Sequence, residues 1–464
     1  MNMADAQPKV FNRWLVVLGA LVIQVSLGAV YIWSVFQTPL KALFPNWTEA
    51  QVTLPAQLVL ACFALAVIFG GRIQDKLGPR IVATIGGLVL GVGLILARFT
   101  GNFGPGMALT WLLATFSVLG GLGIGMAYVC PIATCVKWFP DKRGLITGLA
   151  VAGFGAGAFF FAPLAKGFIT GGKYQILGAN LFALPKLGVF STFMALGVIF
   201  LFAVVLAAQL LRNPPAGYKP AGWNPPPPPA GAAPVKTDYT PGQMLATPQF
   251  WLLWLVYFAG CTAGLQVIMK ASPVWQSCAI GACTPPVDPN TFGAIGSAAA
   301  MAVSILAIFN AVGRIFWGKI SDSMGRKPTL IIMLIICAAA MFALDFLRAY
   351  GVYLAGISVV GLCFGGYLAL FPAFTADFFG TKHYGVNYGW MFSAYGAGGI
   401  VGPFLAAALM RVGAKVPYQV TDAAGAVSEK VFTVGIYRTA FFVAAVMCVL
   451  AVLLALLIKP PKRT

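Results

Sequence analysis

Residues 291–327 read TFGAIGSAAAMAVSILAIFNAVGRIFWGKISDSMGRK, an apolar run that contains one cation, Arg314, and closes in a basic turn. A transmembrane helix needs about 20 predominantly apolar residues, and an arginine at its centre costs about 2.5–3.5 kcal/mol on insertion scales. Arg314 has three ways to be satisfied. It can face a cavity and receive the negative head of a ligand, snorkel toward headgroups near Lys319, or lock two helices by bonding backbone carbonyls. The ligand role is favoured, because an ionisable residue inside a span marks a functional site by default. Asn310 stands one turn earlier on the same face. Its amide can orient the guanidinium or the ligand, but it supplies no counter-charge.

The rest of the chain supports a membrane reading. Its 464 residues are 60% hydrophobic and only 9% charged, whereas a soluble domain is about 25% charged. The apolar segments have the length of helices rather than of alternating barrel strands, so the expectation is an all-α membrane protein. The net charge of +19 does not indicate nucleic acid, because the basic residues sit in short clusters between spans. Seven of the nine cysteines lie in or beside apolar runs, as packing residues do. Cys278 and Cys283 flank a short polar stretch, where a disulfide and a chance pair are both open readings. The one histidine, His383, sits in a loop, and no spacing suggests a metal or a cofactor. The leading stretch MNMADAQPKVFNR is polar, and the apolar segment after it is too long for a cleavable signal.

Spans are expected near 14–40, 51–70, 81–98, 108–136, 145–169 and 188–211, then near 248–271, 293–317, 328–347, 352–376, 385–410 and 434–458. That is six and six. The proline-rich stretch 212–247, with Pro225–Pro229 at its centre, reads as a semi-extended linker. It divides the chain into 1–211 and 248–464. Longer outer loops are expected at 170–187, 272–292 and 411–433. Most of the 30 lysines and arginines fall in short clusters on the side shared by both termini and the linker. The positive-inside rule makes that side cytoplasmic, in a cell (inner) membrane. Glycine series in spans four and five have no preceding strand and mean close helix packing, not a dinucleotide loop.

The halves also repeat in detail. Gly71-Arg-Ile-Gln-Asp75-Lys-Leu-Gly78-Pro-Arg80 aligns without gaps to Gly318-Lys-Ile-Ser-Asp322-Ser-Met-Gly325-Arg-Lys327. This paired turn resembles the signature loop of the major facilitator superfamily, which implies 12 helices in two six-helix halves. Asp75, Gly78, Arg80, Asp322, Gly325 and Lys327 then serve structure and gating, through tight turns and bridged helix ends. A narrower resemblance lies in VYIWSVFQTPL, KWFPDKRGLITGLAVAGFGAG, MLATPQFWLLW, FNAVGRIFWGKISD and FGTKHYGVNYGWMFSAYG, which are similar to the oxalate/formate antiporter family and its relatives the monocarboxylate transporters. That resemblance implies two cations facing a dianion. One matches Arg314, whereas the position of the other carries Tyr395. A single permanent cation balances a single carboxylate, and a buried dianion would keep an unpaired charge.

The expected function is therefore secondary active transport of a small carboxylate by alternating access. The favoured substrate is a monocarboxylate such as lactate, pyruvate, formate or acetate, moved by proton symport or by anion exchange. The alternative is an oxalate:formate or other dicarboxylate antiporter, which needs a second cation, for which Lys270 is the candidate. Tyr31, Trp33, Tyr128, Tyr367 and Tyr395 are candidate cavity partners: ring faces suit a short carbon chain, and a tyrosine hydroxyl can donate to a carboxylate. The resemblance supports Tyr31, Tyr128 and Tyr395; Trp33 and Tyr367 are equally open to packing or interfacial roles. An enzyme would need a nucleophile, base or metal cluster within the spans, and a channel would need a repeated filter. A sensor could keep this architecture, but would be expected to carry an added soluble domain. A monomer in the bilayer is expected, with no nucleic-acid partner.

Overall fold

The computed structural model describes residues 11–176, 179–215, 217–220, 238–346, 349–421 and 427–461. The proline run 225–229 lies outside them. Eleven helices among the described residues are long and apolar enough to cross a membrane. Tyr384–Leu409, a continuous helix rich in glycine, completes twelve.

Several helices begin on a side chain that satisfies their free amides. The second span, Glu49–Leu77, starts on a capping box in which Thr48 and Gln51 bond each other's backbone. The eighth, Pro289–Met324, starts on Asp288, whose carboxylate accepts from the amides of Asn290 and Thr291. The second and eighth spans stop at Gly78 and Gly325, with φ of 86° and 93°. Side chains with a Cβ rarely adopt that conformation, so the two equivalent turns explain the repeated glycine. Beyond them the third span, Pro79–Ala97, and the ninth, Arg326–Ala343, turn back at once.

The first span is not one smooth helix. Arg13–Leu27 passes into a tighter 3₁₀ segment, Gly28–Ile32, before Trp33–Leu43 resumes the α form. The fourth span runs from Pro105 to Trp138 with a π-helical segment at Leu113–Leu119. The remaining spans are Arg143–Thr170, Val189–Ala208, Pro248–Gly281, Tyr350–Phe379 and Arg438–Leu457.

The outer connections differ from expectation. Segment 170–187 folds as a hairpin of Gly172–Ile176 with Ala179–Leu184, and 411–433 belongs to a longer hairpin, Arg411–Thr421 with Val427–Ile436. The second hairpin is docked. Val287 donates to the Pro417 carbonyl at 3.0 Å, Gln419 donates back at 2.9 Å, and Phe292 stacks on Tyr418 at 4.0 Å. The expected loop 272–292 is mostly helix, since the seventh span continues to Gly281, held by Trp275 against Tyr350 and Tyr353. Cys278 is thus helical and Cys283 lies just beyond, and no disulfide joins them.

The two halves meet along two seams. The second span packs on the eleventh and the fifth on the eighth, and exchanging the halves converts one pair into the other. The seams close at the end of the molecule nearest the interdomain linker, called here the linker side; the hairpins mark the opposite side. Gly71 faces Gly385, where a Cβ on Gly71 would come within 2.1 Å of the Gly385 carbonyl oxygen. Gly144 faces Gly318 in the same way, at 2.4 Å.

Candidate functional site

Arg314 lies where the eighth span crosses the fifth, and it is 1% exposed. Its reach is set by glycine: a Cβ on Gly148 would sit 2.1 Å from the Arg314 carbonyl oxygen, so only glycine lets the helices approach this closely. The guanidinium then extends over Gly155. Its Nε donates to Asn310 Oδ1 at 3.2 Å and its Nη1 donates to the Val151 carbonyl, in the other half, at 2.6 Å. Nη2 is buried with no partner. Among the described residues, Arg314 pairs with no carboxylate. The side chain does not snorkel. It spans the seam between the halves, tied to one carbonyl, with part of its donor capacity free.

A ring of hydroxyls surrounds this cation. Tyr31, Tyr128 and Tyr257 lie within electrostatic reach of Arg314. Tyr31 and Tyr395 share a 2.6 Å hydrogen bond between hydroxyls of opposite halves. The Tyr257 hydroxyl is buried without a partner among the described residues, and the Tyr388 hydroxyl faces that of Tyr128. Phenyl rings complete the enclosure: Phe154 packs edge-on to Tyr31 and Tyr128, and Phe392 lies against Tyr128 and Tyr395. Gln24 fixes the first span to the fourth by donating to the Tyr128 carbonyl. Unbonded buried polar atoms are costly, about 1–3 kcal/mol each. Such atoms around one cation mark a place that a polar ligand would satisfy.

Two expected partners lie elsewhere. Trp33 points into the N-terminal half, where its indole donates to the Val52 carbonyl and its ring packs with Phe36, Phe116 and Phe193. Residues two apart on a helix face away from each other, so Tyr31 and Trp33 cannot share one cavity. Tyr367 is buried in the C-terminal half against Gly260 of the seventh span. Lys270 is half-buried further along that span. Tyr257 and Tyr388 were not anticipated, although Tyr388 stands two turns before Tyr395 on the same face.

The repeated turns close the linker side. Asp75 accepts from the amides of Gly385 and Val386 at 3.0 and 2.9 Å, capping the eleventh span of the other half. Asp322 accepts from Gly144 and Leu145 at 2.9 and 2.8 Å, capping the fifth. Carboxylates at helix N-termini are favourable by charge and by hydrogen bonding together. Arg80 and Lys327 work within their own halves: Arg80 donates to Gln209 at 2.6 Å, and Lys327 donates to the carbonyls of Leu456 and Ile458. Each pins the start of one span to the end of another.

Comparison with known proteins agrees with this architecture. Residues 11–277 and 278–464 match the Major Facilitator Superfamily. The chain is 30% identical to the oxalate:formate antiporter of Oxalobacter formigenes over 408 residues, 86% of this chain and 85% of that one. It is 28% identical to the apicoplast pyruvate carrier 1 of Toxoplasma gondii, over 72% of this chain and 65% of the carrier. A solved structure of the proton:xylose symporter XylE superposes with a TM-score of 0.66, at 13% identity and 96% coverage of both chains. The two-half bundle with paired turns defines a membrane transporter rather than an enzyme. The chain belongs to the Major Facilitator Superfamily.

Proposed function

We propose that this transporter carries a small monocarboxylate such as lactate, pyruvate, formate or acetate, by proton symport or anion exchange, with Arg314 as the carboxylate receptor. One observation carries the reading: a fully buried guanidinium, without a carboxylate partner, keeps Nη2 unbonded amid a ring of tyrosine hydroxyls. A single negative charge matches this cation in count and in donor chemistry, since guanidinium and hydroxyls are donors to a carboxylate. The antiporter and pyruvate carrier to which the chain is similar, both named for small carboxylates, support the substrate class.

The two seams support alternating access. With the linker side closed, substrate would reach Arg314 from the hairpin side, and breaking the Arg314–Val151 bond would free the cation for it. Closing over an empty site buries an uncompensated charge, which is strongly unfavourable; a bound carboxylate removes that penalty. The linker side is cytoplasmic by its basic clusters, in a cell (inner) membrane, and the protein works as a monomer divided at 212–247.

The test is uptake of labelled L-lactate, formate and oxalate into proteoliposomes, with and without an inward proton gradient. Losing one partner of a buried charge pair costs about 2–5 kcal/mol, so Arg314→Ala should lower monocarboxylate uptake by about 30-fold or more. Arg314→Lys should also be impaired, because lysine cannot hold Asn310, Val151 and a ligand with one planar fork. Wild-type rates in both variants would sink the proposal. Preferential uptake of oxalate would overturn the monocarboxylate assignment and favour a dicarboxylate exchanger.

A further inference from the structure

On the linker side, outside the Arg314 site, an open cleft of about 490 Å³ lies between the two halves. It is lined by Lys137 and Arg143 around the turn between spans four and five, by Tyr218 and Lys219 after span six, and by Thr381 and Lys382 after span ten. Four cations thus converge on one cavity, and among the described residues no acidic side chain lines it.

The nearby carboxylates offset part of this charge, Asp377 at Arg143 and Asp75 within electrostatic reach of Lys137, and none pairs with Lys219 or Lys382 among the described residues. Asp377 pairs with Arg143 Nη1 and with Arg326, Asp141 with Arg13, and Asp238 accepts from the amides of Thr381 and Lys382. Asp75 caps the eleventh span. Among the described residues the exposed Lys219 and Lys382 ammonium groups have no ion-pair partner, and Arg143 Nε is buried and unbonded. The walls are held in place: Trp138 donates to the Arg212 carbonyl, Tyr218 packs on the Trp138 ring, and Asn387 donates to the Tyr239 carbonyl.

We infer that this cleft binds a phosphate-bearing anion that bridges Lys137 and Arg143 of one half and Lys219 of the linker to Lys382 of the other half, and so holds the linker side closed. Multiple cations, an alcohol side chain at Thr381 and an opening to solvent suit a polyphosphate or phosphate headgroup better than a single carboxylate. A ligand that contacts both halves only when they are together favours that state by its differential affinity. The consequence is inhibition of transport from the side on which the anion resides. The inhibitory arm rests on the transport function proposed above; the binding arm does not.

The experiment uses the purified full-length protein. Inorganic pyrophosphate is titrated by calorimetry, and vesicles with and without phosphatidylglycerol test whether a lipid headgroup supplies the same chemistry. Saturable pyrophosphate binding, weakened about tenfold or more in Lys219→Ala/Lys382→Ala and weakened by salt, is expected. Monocarboxylate uptake by this variant without pyrophosphate should match wild type, while inhibition by pyrophosphate on the linker side should be lost. Competition by phosphatidylglycerol alone would assign the cleft to lipid, within the same proposal. No saturable binding of either probe, or binding unchanged in the double variant, would overturn it. Binding without any uptake of carboxylate would instead overturn the transport reading and leave the cleft standing.

Discussion

Where the second span meets the eleventh, two glycines touch and Asp75 caps a helix of the opposite half. Where the fifth meets the eighth, two glycines touch and Asp322 does the same. The second seam then adds an ionic chain. Arg326 binds both Asp322, at 2.7 Å, and Asp377, at 3.0 Å, and Asp377 binds Arg143 of the other half at 2.6 Å. The first seam has proline, Pro79, at the position of Arg326, and Asp75 makes no ion pair among the described residues, with Lys137 and His383 only within longer electrostatic reach. Steric contact and backbone capping are therefore the shared part of the closure. The ionic latch belongs to one seam alone, the one whose eighth span also carries Arg314. Asp322 is eight residues beyond Arg314, about 12 Å along one helix. A shift of that span on substrate binding would strain the latch directly, whereas the first seam feels it only through the movement of the halves.

The steepest test of the shared part is steric. Gly71→Ala and Gly144→Ala would each force a Cβ against an opposing backbone oxygen, at 2.1 and 2.4 Å. Overpacking typically costs about 1–3 kcal/mol, here charged to the linker-closed state alone. Transport should fall by about tenfold or more in both. Cross-linking of cysteine pairs placed across the seams should show the linker side open. Tolerance of one substitution and not the other would break the symmetry of the two seams.

The carboxylates should separate them. Hydrogen bonds to a charged group contribute about 1.5–3 kcal/mol. Asp75→Asn weakens two such bonds, and Asp322→Asn weakens two and also removes the carboxylate that Arg326 Nη1 contacts. The Asp322 variant should open the linker side further in the same cross-linking assay and lose more transport. Equal losses would mean that Arg326 adds nothing to the seam beyond what capping provides.

Much of this was legible in the sequence, for physical reasons. Twelve apolar runs and a repeated turn fix the architecture, because hydrocarbon leaves few ways to satisfy a backbone. Arg314 stood out because charge in an apolar run is expensive. The tyrosines were harder. Tyr257 and Tyr388 are amphipathic residues that bury equally well as packing, and only the seven-residue spacing to Tyr395 hinted at a shared face. Trp33 could have been set aside from its two-residue offset from Tyr31. The hairpins were read as loops although Val416, Tyr418 and Val420 alternate as strand residues do. Their pairing, and the bond to Val287, depends on contacts between distant segments.

The smallest effect belongs to the pair that joins the halves, Arg143 with Asp377. Both side chains are partly exposed, 24% and 31%, and exposed pairs contribute about 0.2–1 kcal/mol in double-mutant cycles. Arg143→Ala and Asp377→Ala should each shift the linker-closed population modestly, and the double variant should reveal a coupling of that size, read as the fraction cross-linked. Raising salt should erase the coupling, since screening shortens to about 3 Å at 1 M, while leaving the backbone caps of Asp75 and Asp322 in place. The salt response would then appear in the seam between spans five and eight and be absent between spans two and eleven. A coupling that survives high salt would mean that the pair is dehydrated within the seam and contributes as much as the caps do. Uniform salt sensitivity of both seams would mean that the ionic chain is not the feature distinguishing them.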